Sequence, residues 1–389
     1  MRPEPRIGVL GLGGLGGSGR VAHDVAAALA KLGHPTFSLT CEGCQFGSEG
    51  AGWTTHVPVR APRTPRPADD TWVEILAADL EQAVVEHRLT VLSVHYGVGL
   101  AEAAVRVRNR LHAQGVALRV CVTLHGTDVT ELARDPAQAA RLRAALDTVD
   151  DVSVVSEWLA QRALEQRLLA RRPRVIPNGI DLDVFRPASD AREVEPPLLV
   201  HASNFRPIKR PLDTVQLLRT LHDRGVDARL ELIGDGPLRG AAEAKAEALG
   251  VRDDVSFVRP LSQQDLAARL RTATVALVTS EAESFGLFAV ESMASGLVLA
   301  GWRCEGLLGT LSEEPSLADA ALVPLGEFDE LAGRVRQILH DDVARRALVQ
   351  RGVALCRASF SRSRQVEGYR RSLGIQPRER HAWPRDARI

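Results

Sequence analysis

The chain has 389 residues, of which 45% are hydrophobic and 25% are charged, a composition typical of a globular protein large enough for two domains. Its 49 basic and 49 acidic residues cancel, which argues against a nucleic acid or an anionic membrane as the main partner. Five cysteines are too few for a disulfide framework, and the lack of a signal peptide or of a run of about 18 apolar residues predicts a cytoplasmic protein.

Strand and helix signals alternate along the first half of the chain. Short apolar runs predict strands, and segments with apolar residues at helical spacing predict the helices after them. The strand–helix pairs are 6–12 with 18–32, 91–94 with 100–113, 118–124 with 136–146, and 152–155 with 157–169, and a further strand is expected over 36–40. This alternation is typical of a doubly wound parallel α/β sheet.

The same alternation restarts after 186–197, a segment rich in Pro, Asp and Glu that we interpret as a linker. Strands are predicted over 198–202, 229–233, 255–258 and 274–279, and helices over 212–221, 238–249 and 264–271. We therefore expect two Rossmann-like domains, 1–187 and 198–358, facing each other across a cleft, the preferred place for a ligand. Residues 376–389 are expected to form a flexible tail.

A glycine-rich loop over residues 11–19 lies between the first predicted strand and the first helix. Its backbone N–H groups could approach a phosphate or a carboxylate, because glycine has no side chain and helix N-termini attract anions. The pattern Gly-x-Gly-x-x-Gly occurs twice, from Gly11 and from Gly14, and Glu42 could bind a ribose. A nicotinamide-dependent dehydrogenase is therefore one alternative, although Glu42 lies further along than the usual ~20 residues.

Glu283 and Glu291 stand eight residues apart, at the end of the strand 274–279 and in the helix expected after it. This spacing predicts one carboxylate at the mouth of a strand and the other about two turns into the helix, where an open α/β sheet binds its ligands. Carboxylates accept hydrogen bonds from vicinal hydroxyls, so the pair suits a sugar and a ribose. The alternative is two solvated acids, the second on an exposed helix face.

Two further loops of the second half carry residues that could bind a nucleotide. The loop 202–210 carries Arg206 and Lys209, and a leaving diphosphate needs such fixed positive charge. The alternative interpretation of the same sequence is a solvated basic loop. The turn 234–237, with the sequence Gly-Asp-Gly-Pro, lies at a sheet edge where a nucleotide base could rest, although such turns are also ordinary loop chemistry.

These motifs, together with the segment 178–185, stand in the order found in family-4 retaining glycosyltransferases of the GT-B fold, which the chain resembles over nearly its whole length. Within that family it most resembles the N-acetylglucosaminyl-malate synthase branch of the bacillithiol pathway. The segments that carry this second resemblance are 16–19 (GGSG), 95–96 (HY), 123–129 (TLHGTDV) with 135–136 (DP), and 203–206 (SNFR). The resemblance also predicts that a helix over 359–375 crosses back onto the first domain.

The resemblance implies roles for individual residues. The catalytic residues would be His125, which orients the donor sugar, and Arg206, Lys209 and Glu283. The donor nucleotide-sugar would contact Gly17, Arg206, Lys209, Arg210, Gly234, Asp235, Phe285, Gly286, Leu287 and Glu291. The acceptor would contact Ser18, Tyr96, Thr127 and Asn178.

The implied chemistry needs neither a protein nucleophile nor a metal, since the diphosphate leaves and accepts the acceptor's proton on the same face of the sugar. Asp181 and Asp183 would then form a turn rather than a metal site. No cofactor is expected besides the nucleoside-diphosphate sugar, with UDP favoured over GDP. The partners would be small-molecule donor and acceptor, without nucleic acid or membrane, and a homo-oligomer is compatible with the sequence.

The default substrates by resemblance are N-acetylglucosamine and L-malate. The loop after the second glutamate departs from the family pattern, because a proline is missing and Glu305 stands where a glycine is expected, with Trp302 adding volume nearby. These departures favour a natural-product glycosyltransferase, for example of a lincosamide pathway, that joins an unusual nucleotide-activated sugar to a small thiol or another acceptor. A catalytically inactive module that binds a sugar nucleotide is a further alternative.

Overall fold

The computed structural model of the chain describes residues 4–12, 17–41, 55–59, 69–188 and 195–376. The chain divides into two compact units. The first consists of Met1–Asn178 together with Arg362–Ile389, and the second of Gly179–Ser361. The first unit is therefore discontinuous in sequence, and the end of the chain contributes its last helix.

The strands of each unit form one sheet. Those of the first unit are β1 (Ile7–Gly11), β2 (Thr36–Cys41), β3 (Thr55–Val59), β4 (Val91–His95), β5 (Arg119–Leu124), β6 (Asp151–Val154) and β7 (Arg174–Val175). Those of the second unit are β8 (Leu198–Ser203), β9 (Arg229–Gly234), β10 (Val255–Val258), β11 (Val275–Val278), β12 (Val298–Trp302) and β13 (Leu322–Val323).

Helices alternate with these strands. They are α1 (Gly17–Lys31), α2 (Asp70–Glu86), α3 (Leu100–Ala113), α4 (Thr127–Thr130), α5 (Pro136–Leu146), α6 (Glu157–Glu165), α7 (Pro211–Asp223), α8 (Arg239–Ala248), α9 (Gln263–Leu270), α10 (Leu287–Ala294), α11 (Glu305–Thr310), α12 (Pro315–Ala321), α13 (Phe328–His340), α14 (Asp342–Ser359) and α15 (Arg362–Leu373). Short 3₁₀ turns cover Leu132–Arg134, Pro207–Lys209 and Arg252–Asp254.

The sheet of the first unit has the order β3-β2-β1-β4-β5-β6-β7, with parallel pairing throughout. Every residue of β1 and of β4 is buried, as expected for strands that helices cover on both faces. Because β2 lies on one side of β1 and β4 on the other, the winding of the chain reverses between β1 and β4. Ligands of such sheets bind outside the carboxyl ends of the strands at this reversal point.

The sheet of the second unit has the order β10-β9-β8-β11-β12-β13 and is also parallel. Its core contains fully buried side chains from the central strands, such as Leu199, Leu277 and Trp302, with Leu217 of α7 and Val335 of α13. The winding reverses between β8 and β11. A second ligand site is therefore expected outside the carboxyl ends of these two strands.

Helix α15 completes the first unit by packing against α1, β5 and β6. Its apolar face buries Val366, Tyr369 and Leu373. The backbone carbonyl of Ser372 accepts a hydrogen bond from the Arg119 guanidinium at 3.1 Å. The last described helix of the chain is thereby attached to the start of β5.

The predicted fold class, α/β with two doubly wound parallel sheets, is confirmed. The expected end of the first domain, after residue 187, differs from the division after Asn178. The reason is that the segment after Asn178 packs on the second unit, where the Val184 carbonyl accepts a hydrogen bond from Arg271 at 3.1 Å. Residues 189–194 of the expected linker and 377–389 of the expected tail lie outside the described residues.

Candidate functional site

The carboxyl ends of β1, β4 and β5 carry the candidate residues of the first unit. β4 ends at His95, and His125 follows the last residue of β5. Gly17 and Ser18 are the first two residues of α1, whereas residues 13–16 of the glycine-rich loop lie outside the described part of the chain. The first N–H groups of a helix have no intrahelical partner and favour an anion, so the start of α1 suits a polar or anionic ligand.

His95 and His125 form a hydrogen-bonded pair at this edge. Nδ1 of His95 lies 3.1 Å from Nε2 of His125, and Nε2 of His95 lies 3.3 Å from Oγ of Ser93. Burial lowers the pKa of His125 to about 3, and burial together with the proximity of His125 holds the pKa of His95 well below its usual value. Both rings are therefore neutral imidazoles at pH 7, each with one donor and one acceptor nitrogen.

The buried carboxylate of Asp128 fixes the backbone around this pair. It accepts hydrogen bonds from the backbone N–H groups of Gly97 (3.1 Å), His125 (3.1 Å) and Gly126 (2.7 Å). Burial raises the pKa of Asp128, and these backbone hydrogen bonds oppose that rise. Because Gly97 follows β4 and Gly126 follows β5, one carboxylate joins the two loops. Sequence reasoning assigned Asp128 no role, although an Asp two residues after a glycine at a strand end is a known loop signal.

Three of the four residues expected to contact the acceptor follow the carboxyl ends of β4, β5 and β7, whereas Ser18 belongs to α1 after β1. Oη of Tyr96 lies 2.9 Å from Oγ1 of Thr127. Tyr96 has a φ of 115°, a strained value for a residue other than glycine, and such strain clusters at functional sites. Asn178 is buried, and its Oδ1 has no hydrogen-bond partner within the described residues. These groups offer hydrogen bonds to a polar ligand.

In the second unit, the loop after β8 is hydrogen-bonded to the segment after β11. Oγ1 of Thr279 donates a bifurcated hydrogen bond to the backbone carbonyls of Lys209 (3.1 Å) and Arg210 (3.2 Å). The backbone N–H of Glu281 donates to the carbonyl of Ile208 at 2.9 Å. Since β8 and β11 are neighbours at the reversal point, the two loops form one surface where a ligand is expected.

Lys209 and Glu283 form an ion pair on this surface. Nζ of Lys209 lies 2.6 Å from Oε1 of Glu283, and the same oxygen accepts a hydrogen bond from Oγ of Ser280 at 2.6 Å. The side chains of Lys209 and Glu283 are 25% and 13% exposed, so the pair is shielded but reachable from solvent. It offers an ammonium donor beside a carboxylate acceptor, the two groups that a diphosphate and a sugar hydroxyl require.

The two arginines of the loop differ in their surroundings. Arg206 is exposed, directly before the 3₁₀ turn that contains Lys209. Nε of Arg210 lies 2.6 Å from Oδ2 of Asp213, and the indole N–H of Trp302 donates to the same oxygen at 2.8 Å. The expectation that Trp302 adds volume to the loop after β12 is wrong, because Trp302 is a fully buried strand residue of the core.

Helix α10 begins directly after Gly286, whose φ is 84°. Leu287 is its first residue, so the N–H groups that follow Phe285 lie in a first turn without intrahelical partners. Glu291 is the fifth residue of α10, about one turn in rather than the expected two. Glu291 is also only 2% exposed, so the alternative of a solvated acid on an exposed helix face is wrong for this residue.

Glycines allow the turn after β9 to approach the loop after β8. A Cβ atom on Gly234 would lie 1.9 Å from the carbonyl oxygen of Ser203, and one on Gly236 would lie 2.1 Å from that of Asn204. Only glycine fits such contacts, and both residues also have positive φ values, 134° and 152°. Asp235 between them is exposed, and its Oδ1 accepts the backbone N–H of Gly236 at 2.8 Å.

The first turn of α11 crosses directly over the backbone of Glu283. A Cβ atom on Gly306 would lie 1.6 Å from the carbonyl oxygen of Glu283. Further along α11, Oγ1 of Thr310 donates to the carbonyl of Phe285 at 2.6 Å. Helix α11 therefore supports the segment from Glu283 to Phe285, and the exposed Glu305 precedes the point of closest contact.

The described residues contain no group of three or more His, Cys, Asp or Glu side chains that could hold a metal ion. Asp181 and Asp183 belong to a turn in which Oδ1 of Asp181 accepts the backbone N–H of Asp183 at 3.0 Å. Glu42, the ribose-binding residue of the dehydrogenase alternative, lies outside the described residues. Within the described chain, every helix is too short or too polar to cross a membrane.

Two family models match consecutive parts of the chain. Residues 15–184 match the model described as glycosyltransferase family 4, and residues 186–354 match the model described as glycosyl transferases group 1. The chain belongs to the family-4 glycosyltransferases. The dehydrogenase alternative is therefore wrong, because both halves of the chain match glycosyltransferase models, and residues 15–19 of the glycine-rich loop belong to the family-4 match.

Curated relatives of this glycosyltransferase include two bacterial enzymes. The N-acetyl-alpha-D-glucosaminyl L-malate synthase of Bacillus anthracis is 28% identical over 94% of this chain and 95% of its own length. The D-inositol 3-phosphate glycosyltransferase of Acidothermus cellulolyticus is 29% identical over 72% of this chain and 62% of its own length. Both are named as glycosyltransferases or sugar-conjugate synthases, but they differ in the acceptor.

Solved structures show the GT-B fold of this glycosyltransferase. The sucrose-phosphate synthase of Thermosynechococcus elongatus superposes with a TM-score of 0.77 at 20% identity, covering 95% of this chain and 98% of its own. The Anabaena protein HepE, solved with UDP and glucose, has a TM-score of 0.74 at 16% identity, covering 96% of this chain and 100% of its own. At these identities the likeness concerns the fold alone.

Sequence reasoning also missed a buried histidine of this glycosyltransferase, His201 in β8. Its Nδ1 lies 2.9 Å from the carbonyl of Leu277 and must donate to it, so Nε2 accepts from the hydroxyl of Ser203 at 2.9 Å. Burial lowers the pKa of His201 to about 4. The neutral ring connects the end of β8 to β11, beneath the loops that carry Lys209 and Glu283.

Proposed function

We propose that this glycosyltransferase transfers a sugar from a UDP-sugar to a small polar acceptor with retention of the anomeric configuration, and that the sugar and acceptor are N-acetylglucosamine and L-malate. The observation that carries the proposal is the ion pair between Lys209 and Glu283 at the reversal point of the second sheet. The similarity to the Bacillus anthracis malate synthase over 94% of the chain supports the choice of substrates.

The second unit would bind the donor. Arg206 and Lys209 would hold the diphosphate, because fixed cations stabilise its negative charge without reorganisation during the reaction. The carboxylate of Glu283 would accept hydrogen bonds from sugar hydroxyls, beside the N–H groups at the start of α10. Glu291 would bind the ribose diol. The base would lie at the turn 234–236, with the guanidinium of Arg210 supporting the loop through Asp213.

The first unit would bind the acceptor. Ser18, Tyr96, Thr127 and Asn178 present hydroxyl and amide groups that suit a hydroxy acid. The orphaned Oδ1 of the buried Asn178 supports this role, because a buried polar atom normally has a partner and a ligand hydroxyl could supply it. The neutral imidazole of His125 would orient the donor sugar rather than remove a proton, since its pKa of about 3 makes it a weak base.

The chemistry follows from these groups. As the bond from the anomeric carbon to the diphosphate breaks, Arg206 and Lys209 would neutralise the growing charge. The acceptor oxygen forms its bond on the face that the diphosphate leaves, and a diphosphate oxygen takes the acceptor's proton. The configuration at the anomeric carbon is then retained without a protein nucleophile, and the role of a metal ion is filled by the two cations.

A second candidate is a natural-product glycosyltransferase with an unusual sugar and a thiol or other acceptor. The observation that favours it is the exposed Glu305, which precedes the contact between Gly306 and Glu283. A carboxylate beside the sugar-binding segment would favour a sugar with additional hydrogen-bond donors. The two candidates share the donor diphosphate site and differ in the groups that surround the sugar and the acceptor.

The test begins with nucleotide binding. Thermal unfolding is measured with UDP, GDP and dTDP, and UDP should raise the melting temperature most, because a ligand that binds the folded state stabilises it. UDP-N-acetylglucosamine and L-malate are then incubated with the protein, and the product is identified by mass spectrometry. Binding of UDP without this product would favour the second candidate. If no nucleoside diphosphate binds, the proposed donor site is wrong.

A further inference from the structure

His95 is a fully buried histidine whose ring has polar partners on two sides. Its Nε2 lies 3.3 Å from the hydroxyl of Ser93 in the same strand, and its Nδ1 lies 3.1 Å from Nε2 of His125. A buried polar ring is unfavourable unless it is hydrogen-bonded, so a residue needed only for packing would be apolar. The three side chains form a continuous hydrogen-bonded chain that ends at His125.

The ring of His95 is also held by its neighbours. The ring of Tyr369 in α15 lies 5.2 Å away, tilted by 39°, and the ring of His125 lies 5.3 Å away. Burial lowers the pKa of both histidines and raises that of Tyr369, so these facing groups are uncharged at pH 7. The nearby carboxylate of Asp128 is bonded to backbone N–H groups, including that of His125.

The protons on the two imidazoles are coupled. A hydrogen bond between neutral imidazoles requires one ring to donate and the other to accept. If His95 donates from Nδ1, its Nε2 accepts from Ser93 and His125 keeps its proton on Nδ1. If His125 donates from Nε2, His95 donates to Ser93 and Nδ1 of His125 has a lone pair. In both arrangements Nε2 of His125 is engaged with His95, so Nδ1 is the ring nitrogen that remains available to a ligand.

We propose that His95 is a positioning residue that holds the ring of His125 in one orientation and in one of these two coupled tautomers, with Nδ1 directed to the donor sugar. This inference rests on the proposed function, in which His125 orients that sugar. Its benefit for catalysis is preorganisation, since a group that is already oriented needs no rearrangement as charge develops. Helix α15 contributes to this positioning, because its Tyr369 packs against the ring of His95.

Three substitutions of His95 separate its two hydrogen bonds. The amide of Asn stands where Nδ1 of histidine stands, so His95→Asn retains the contact with His125. The longer Gln places its amide near the position of Nε2, so His95→Gln retains only the contact with Ser93. His95→Phe keeps a flat ring against Tyr369 and removes both hydrogen bonds. The series therefore varies the hydrogen bonds while a side chain fills the site in every variant.

The first measurement is independent of activity. Selective ¹⁵N labelling of histidine and long-range ¹H–¹⁵N spectra report which nitrogen of a neutral imidazole carries the proton, and a His125→Asn spectrum assigns the His125 signals. At pH 7 the wild-type protein and His95→Asn should show His125 in a single tautomer. His95→Gln and His95→Phe should show averaged shifts from two tautomers. A single unchanged tautomer in His95→Phe would overturn the proposal.

The second measurement is steady-state turnover with UDP-N-acetylglucosamine and L-malate. His95→Phe and His95→Gln should lower kcat by about tenfold, the effect of one lost orienting hydrogen bond, with little change in the donor KM. His95→Asn should restore most of the rate. If His95→Gln is as active as His95→Asn, the contact with His125 is not the one that matters and the proposal is overturned.

Two controls distinguish the possible causes of failure. Leu373→Ala creates a cavity in α15 one turn beyond Tyr369, so it should lower the melting temperature while the His125 tautomer and kcat stay unchanged. If the wild-type protein binds UDP but makes no product, the proposed substrates are wrong. The NMR comparison still decides the role of His95 in that case, because it needs no turnover.

Discussion

At the scale of single residues, Lys209 takes part in two interactions. Its ammonium contacts Glu283 at 2.6 Å in the structure, and in the proposed function it also binds the donor diphosphate. Lys209→Met removes the charge and keeps the apolar stem, so the free energy of unfolding should change by less than about 1 kcal/mol. The affinity for UDP should fall by roughly 30-fold, since a hydrogen bond to a charged group contributes about 2 kcal/mol. Isothermal titration calorimetry measures the affinity of both proteins for UDP.

Arg336→Met is the matched control for Lys209→Met. Arg336 is an exposed cation of the second unit on helix α13, and its loss should leave UDP affinity unchanged. Equal losses of affinity in both variants would mean that UDP senses only the net charge of the unit. Unchanged affinity in Lys209→Met would remove this lysine from the donor site.

Buried imidazoles make the stability depend on pH. The pKa of His201 is about 4 in the folded protein, below the ordinary histidine value of about 6.5, because burial disfavours the charged ring. Between about pH 4 and pH 6.5 the unfolded chain therefore binds more protons than the folded protein. The contribution of His201 is fully present above about pH 6.5 and is lost as the pH falls towards 4, by roughly 3 kcal/mol in total. His125, with a pKa of about 3, changes stability in the same direction.

Urea unfolding at pH 7 and at pH 5 tests the contribution of His201. His201→Asn retains an amide N–H for the carbonyl of Leu277 but has no group that titrates in this range. From pH 7 to pH 5 the wild-type protein should lose roughly 2 kcal/mol more stability than the variant. Equal losses in the two proteins would show that the imidazole of His201 is not held neutral by folding.

At the scale of elements, the contact between α11 and Glu283 leaves no room for a methyl group. In Gly306→Ala the new Cβ atom would lie 1.6 Å from the carbonyl oxygen of Glu283, so α11 or the segment 283–285 must move. We expect a loss of stability of about 1–3 kcal/mol, as for other overpacked sites, and a loss of turnover. Thermal unfolding and UDP release measure the two effects.

Gly240→Ala is the matched control for Gly306→Ala. Gly240 is also the second residue of a helix in the second unit, α8, but a Cβ atom there has no neighbour within 4 Å. Alanine has the higher helix propensity, so this variant should gain up to about 1 kcal/mol of stability and keep its turnover. If both variants behave alike, the close approach of Gly306 is not what limits substitution.

Most elements could be predicted because their signals are local. The bounds of α3, α5 and β10 agree with the sequence prediction to the residue, since apolar periodicity and flanking turn residues determine them. Helix α2 was missed, although Val73, Leu76 and Leu80 are spaced as on one face of a helix.

The contacts of the site could not be predicted because they join distant parts of the chain. Lys209 and Glu283 are 74 residues apart, and Trp302 and Asp213 are 89 apart. The motifs indicated which residues bear the chemistry, but strand order and loop length decide which of them meet. The burial of Trp302 in particular follows from β12 being an inner strand of its sheet, which its own sequence does not reveal.

At the scale of the whole molecule, the first unit is built from both ends of the chain. Deleting residues 362–389 would remove the buried side chains of Val366, Tyr369 and Leu373. Each buried apolar side chain contributes ~1.5–3 kcal/mol, so the loss is comparable to the stability of a whole domain. Calorimetry of the shortened chain should show only the unfolding enthalpy of the second unit.

Deletion of residues 377–389 alone is the control for this truncation. It leaves α15 intact, so calorimetry should still show the unfolding transition of the first unit. Persistence of the complete enthalpy after removal of 362–389 would mean that α15 is dispensable for the first unit. The comparison therefore isolates the contribution of one helix.

The two ends of the second unit are neighbours, since Ile180 forms a bridge with Ser361 and its N–H donates to the carbonyl of Phe360 at 2.8 Å. During synthesis the chain emerges from its N-terminus, and domains fold as units. The second unit is complete once Ser361 has emerged, whereas the first waits for Leu373. The first unit, whose strands are synthesised first, is thus the last to complete its folding. Until α15 has been synthesised, the surfaces of β5 and β6 that it covers remain exposed to chaperones and to aggregation.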